Sequence, residues 1–110
     1  MAVLVFCEDP SGLLKRIKKA IADERITTWQ EDGAGDFTHI PEQWRYRAWM
    51  RPRIVEGRIT FNIVASKNEK MSKTVYGVYH GRFIETLLTH FDHDFSKVQA
   101  TALATFEDIV

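Results

Sequence analysis

The sequence predicts an α+β domain in two layers, a mostly antiparallel sheet with two helices on one of its faces. Three observations predict it: two segments have one-sided helical periodicity, several short segments alternate apolar and polar residues, and the strands run together between the helices. The expected order is β-α-β-β-β-β-α-β in a single domain over residues 1–110, a length at which one core is the normal solution.

Residues Ala2 to Cys7 are continuously apolar and rich in Val, the pattern of a strand central in a sheet. Asp9 offers an N-cap, and Pro10 suits the first helical position because its missing N–H is no loss there. Leu13, Ile17, Ala20 and Ile21 then share one stripe, with Lys15, Arg16, Lys18 and Lys19 mostly on the other side, giving a helix over about 10–24. Ile26 to Glu31 reads as a strand, the Asp32-Gly-Ala-Gly-Asp36 run as a turn, and Phe37 to His39 as the short return arm of a hairpin.

From Gln43 to Arg51 the alternation predicts a strand with Trp44, Tyr46, Ala48 and Met50 facing the helices. Arg45, Arg47, Trp49 and Arg51 would then project from the open face. A connection containing Pro52, Glu56 and Gly57 leads to a second alternating strand over residues 58–65. Ser72 caps a second helix running to about Phe91, with Tyr76, Tyr79, Phe83, Ile84, Leu87 and Phe91 on one side. Val98 to Phe106 alternates as a closing strand. Without the Trp29–His39 hairpin the order is β-α-β-β-α-β, which resembles the ferredoxin-like arrangement and implies nothing beyond the fold.

Fifteen basic residues balance fifteen acidic ones, so a strongly basic nucleic-acid protein is excluded. The charge is nonetheless uneven. Residues 41–58 carry five arginines against two glutamates, and residues 85–110 carry five acidic side chains against one lysine. The single cysteine, Cys7, forbids an intramolecular disulfide and points to a reducing compartment. The apolar start is too short for a secretory leader and no run is long enough to span a membrane, so a cytoplasmic location is expected.

No nucleotide-binding, zinc-protease, nucleophile-elbow or CxxC motif is present, which removes the usual reasons to predict an enzyme. No cofactor is expected. The best lead is the face bearing Arg45, Arg47, Trp49 and Arg51, because arginine and tryptophan suit a protein or homodimer interface. The same residues also make a platform for phosphate contacts and base stacking, so nucleic acid is the alternative partner. A third expectation is a small hydrolase, acting on phosphodiesters, that combines His39 or His80 with Asp36 or Arg82.

Against that third expectation, His80 lies on the apolar arc of its helix and is expected to be a buried, hydrogen-bonded structural histidine. His90, Asp92, His93 and Asp94 cluster, but their spacing fits no established zinc pattern, so no metal is expected. Cys7 reads as structural, since Glu8 and Asp9 oppose thiolate formation. Gly77 and Gly81 lie four apart inside the second helix, each unfavourable by roughly 1 kcal/mol relative to alanine. Close approach of that helix to the sheet or to a partner is the expected compensation.

Overall fold

A computed structural model describes residues 2–105 and 107–110. The first strand, β1 (Ala2–Phe6), leads into helix α1 (Pro10–Ala22), whose first turn is closed by the Asp9 carboxylate accepting from the Gly12 N–H at 3.1 Å. Two three-residue strands, β2 (Trp29–Glu31) and β3 (Phe37–His39), form the small hairpin. The long hairpin follows as β4 (Ala48–Val55) and β5 (Arg58–Ala65), then helix α2 (Lys73–Phe91) and β6 (Lys97–Ala100). Ser72 caps α2 by accepting from the Val75 N–H at 3.1 Å.

All strands pair antiparallel in the order β2-β3-β4-β5-β1-β6. Apart from the small hairpin, β5 lies between β1 and β4, and β1 between β5 and β6. With that hairpin set aside, α1 leads from β1 to β4 around β5 and α2 leads from β5 to β6 around β1, the split βαβ arrangement expected from the element order.

Register places the core. Val3 sits opposite Phe61, Val5 opposite Ile59, and Met50 opposite Ile63, so these side chains share one face. Leu13, Ile17 and Ala20 of α1 and Val75, Tyr79, Phe83, Leu87 and Phe91 of α2 join the same buried cluster. Both helices therefore cover one face. An aromatic knot ties α2 to the sheet, with Phe83 edge-on to Phe61 at 4.6 Å and to Trp29 at 5.0 Å between ring centroids. The indole N–H of Trp29 donates to Thr86 Oγ1 at 3.1 Å, which satisfies the polar edge of a buried ring.

Four expectations are corrected. The strand expected from Gln43 begins only at Ala48, because residues 41–47 form a turn in which Trp44 and Arg45 N–H groups donate to the Pro41 carbonyl. Tyr46 adopts φ 60° there and points outward, so it does not join the core. Pro52 lies within β4 rather than in the connection: β3 pairs with β4 only at Met50, so at Pro52 the strand is an edge that tolerates a missing N–H. The connection is Glu56-Gly57 alone, with Gly57 at φ 78°.

The third correction concerns the closing strand, which stops at Ala100. The chain then turns back, and Ile109 forms a single parallel bridge to Val64 beside the end of β5. The alternation expected up to residue 106 ends partly outside the described residues. The fourth is that Gly77 and Gly81 do not approach the sheet: no heavy atom lies within 4 Å of where a Cβ would stand at either position.

Candidate functional site

The open face of the sheet carries Trp49 and Arg51, as the alternation in β4 requires once Ala48 and Met50 are buried. Arg45 and Arg47 are exposed but reach this region from the preceding turn and not from the strand. That turn delivers an aromatic that sequence reasoning placed in the core. Tyr46, 53% exposed, lies nearly parallel to the half-buried Trp49, with centroids 6.5 Å apart and planes at 15°. The Arg45 guanidinium stands 6.0 Å from the Tyr46 centroid while its Nε donates to the Ile40 carbonyl at 3.2 Å.

A bulky residue at positive φ is an outlier that persists only where surrounding structure enforces it. Here the enforcement comes from α2. The Tyr79 hydroxyl donates to the Trp44 carbonyl and lies 3.2 Å from Thr38 Oγ1, which itself donates to the Ala48 carbonyl at 2.9 Å. Burial pushes the Tyr79 phenol up from its ordinary pKa, so it stays a neutral donor. Two neighbouring buried hydroxyls, those of Tyr79 and Thr38, thus hold the chain on both sides of Tyr46.

Arg51 is committed. Its Nη2 donates to Asp36 Oδ2 at 2.9 Å and its Nε contacts both carboxylate oxygens, and the hydrogen bonds to Asp36 raise its pKa. Asp36 belongs to the turn between β2 and β3, where Asp32 Oδ1 accepts from the Ala34 and Asp36 N–H groups at 2.9 Å. Beside this pair is a groove of about 350 Å³, lined by Trp49, Arg51, Asp36, Val64 and Lys67 among others.

The rest of the open face is partly closed. Asn62 donates to Asp108 Oδ1 at 2.9 Å and to Thr105 Oγ1 at 3.0 Å, and Asp108 also accepts from the N–H groups of Ile63 and Thr105. Burial alone would raise the Asp108 pKa, but hydrogen bonding, with Thr105, Asn62 and Ile63 among the donors, outweighs it and holds the carboxyl below its usual range. The C-terminal segment therefore removes Asn62 from the free surface.

Of the four hydrolase candidates only two come together. His39 and Arg82 line one small pocket of about 240 Å³ with Glu85 and Thr86. Asp36 is on the open side of the sheet, bonded to Arg51, while the His39 ring lies 4.7 Å from Trp29 on the helix side. Burial first, and the Arg82 charge as a lesser cause, lower the His39 pKa, and its Nδ1 is buried without a hydrogen-bond partner. His80 is buried as expected, with Nδ1 donating to the Tyr76 carbonyl at 2.8 Å. Arg82 is exposed and pairs with Glu85 at 3.3 Å.

Cys7 is buried, and burial followed by the Asp9 charge raises its thiol pKa. Among the described residues, no group of three His, Cys, Asp or Glu side chains is arranged to hold a metal ion. Among them too, no helix is long and apolar enough to cross a membrane.

The signal that could have revealed Tyr46 was faint: Pro41 followed by Trp44 fits a turn as well as a strand entry. The chain matches no family model, and comparison with curated proteins and with solved structures finds no match. Function therefore has to be argued from the Tyr46–Trp49 surface itself.

Proposed function

We propose that the protein is a non-catalytic interaction module that binds a protein segment with the Tyr46–Trp49 end of its open sheet face. The observation that carries this reading is the stacked pair itself: two large aromatics held at the surface, one on an enforced left-handed backbone. Rigid aromatics beside arginines are the side chains that dominate binding energy at protein interfaces. Arg45 stands over Tyr46 and Lys67 lines the groove, so the segment that fits carries an apolar or aromatic anchor flanked by carboxylates. A buried lone cysteine suits a reducing compartment such as the cytoplasm.

Nucleic acid is the less favoured partner for two reasons. Arg51 spends its charge on Asp36, and Trp49 already lies against one side of Tyr46, where a base would have stacked. A hydrolase is less favoured still: His39 and Arg82 share a small pocket, but Arg82 pairs there with Glu85 and Asp36 is held on the other side of the sheet by Arg51.

Selection of binders from a random peptide library, followed by amide chemical-shift mapping, tests the proposal. Selected peptides are expected to perturb residues 44–51 and 64–68 and to lose affinity with Trp49→Ala. Peptides that map elsewhere would refute it, as would an oligonucleotide bound at this face with a steep salt dependence.

A further inference from the structure

A second surface lies away from that face, on the outer side of α2. Leu88 is 51% exposed there, and Ile84, one turn earlier, packs only partly against the core. Gly81 and Gly77 continue the same stripe. The spacing 77, 81, 84, 88 alternates four and three residues, which is the seam of a helix that packs against another helix. The two glycines leave a shallow depression of about 310 Å³ lined by Gly77, Val78, Gly81 and Arg82. No neighbouring atom lies within 4 Å of where a Cβ would stand at either glycine, so no close packing compensates their low helix propensity.

The stripe is complementary to itself in one orientation. About a two-fold axis passing between Arg82 and Phe83, an antiparallel copy places its Leu88 over Gly77 and its Ile84 over Gly81. Each large side chain then meets a glycine, and the symmetry makes every contact twice. A parallel copy would set glycine against glycine and leucine against leucine, leaving voids beside clashes.

The flanking charges favour the same orientation. Arg82 and Glu85, 3.3 Å apart within the chain, stand close to the axis on one flank of the stripe. The antiparallel copy brings its Glu85 to Arg82 and its Arg82 to Glu85, so opposite charges alternate around the axis.

We propose that the protein forms an antiparallel homodimer through the Gly77–Gly81–Ile84–Leu88 face of α2. The occupant of this face is a second copy of the chain, and the Tyr46–Trp49 surface of each copy is left available. One helix face per copy is a small area, so the dimer is a weak, concentration-dependent one at the low end of specific interfaces.

Sedimentation equilibrium from low micromolar to millimolar chain is the test, read together with thermal unfolding. Wild type is expected to show a monomer–dimer equilibrium, unchanged by Trp49→Ala. Gly77→Ala with Gly81→Ala fills the depressions without an internal clash, so it should raise the melting temperature while weakening the dimer roughly tenfold. Arg82→Glu should also weaken the dimer, and adding Glu85→Arg should restore it. Monomer at every concentration overturns the proposal. A dimer indifferent to the glycine pair overturns it too, as does a lower melting temperature for that variant or a charge swap that fails to rescue.

Discussion

The hydroxyl of Tyr79, buried on α2, donates to the carbonyl of Trp44 in the turn before β4. The same hydroxyl also lies beside Thr38 of β3, so it links the helix layer to the turn that carries Tyr46. The helix layer therefore sets the shape of a surface on the far side of the sheet.

Tyr79→Phe keeps the ring in its place between Trp29 and His39 but leaves the Trp44 carbonyl without its donor. The expected cost is about 1–3 kcal/mol, the range for leaving a buried polar group unsatisfied. Peptide binding should fall in parallel, because Tyr46 loses the constraint on its backbone. Chemical denaturation gives the first quantity and titration of a selected peptide the second. A stable variant with wild-type binding would show that the turn holds itself.

The Arg51–Asp36 pair predicts an asymmetry. The Asp36 side chain is 7% exposed and that of Arg51 is 48% exposed. Asp36→Ala lets the guanidinium rehydrate, so the loss should stay near 1 kcal/mol. Arg51→Ala strands a nearly buried carboxylate and should cost about 3 kcal/mol or more. Equal losses in urea unfolding would mean that the carboxylate is hydrated once its cation is gone.

The layers were legible in the sequence because periodicity reports local geometry. Leu13, Ile17 and Ala20 sit on one side of α1 whatever follows, and Asp9 and Ser72 cap within three residues of themselves. The site was less legible because its determinants are distant in the chain. Residues Trp44 to Arg51 alternate well enough to pass for a strand, and a hydroxyl 35 residues away helps to hold their first half in a turn. Arg51 finds its carboxylate 15 residues back, across a hairpin whose register no local pattern specifies. The glycines of α2 misled in the opposite direction: propensity marked them as special but could not say which way they faced.

His39 should make stability depend on pH. Its folded pKa lies below the ordinary 6.5, because burial and the Arg82 charge disfavour the imidazolium, although the Thr28 carbonyl and Glu85 act the other way. In this pH range the unfolded chain binds more protons than the folded one. The stabilising contribution is therefore complete above pH 6.5 and is lost progressively as pH falls from there through the folded pKa. His39→Phe removes the titration, so the stability difference between wild type and variant should shift in the variant's favour as the solution is acidified. A difference independent of pH would show that His39 titrates as it does in the unfolded chain.

Asp108 predicts a second transition at lower pH, and it concerns the C-terminal segment. Its carboxylate accepts from Thr105, Ile63 and Asn62, two backbone donors and one side-chain amide that fix the segment beside β5. The hydrogen bonds hold its pKa below the ordinary 3.8, so its contribution is fully present above pH 3.8 and disappears as pH falls through the lower folded value. Asp108→Ala should cost about 1–3 kcal/mol at neutral pH, since Ile63 N–H loses its side-chain acceptor and Asn62 keeps only Thr105. The loss should be local before it is global. Amide exchange at Ala65 and Ile109, whose N–H groups bond across the same junction, should accelerate while β1 and the centre of β5 stay protected. If exchange instead rises evenly along β5, the segment is part of the cooperative core and Asp108 is not a separate clasp.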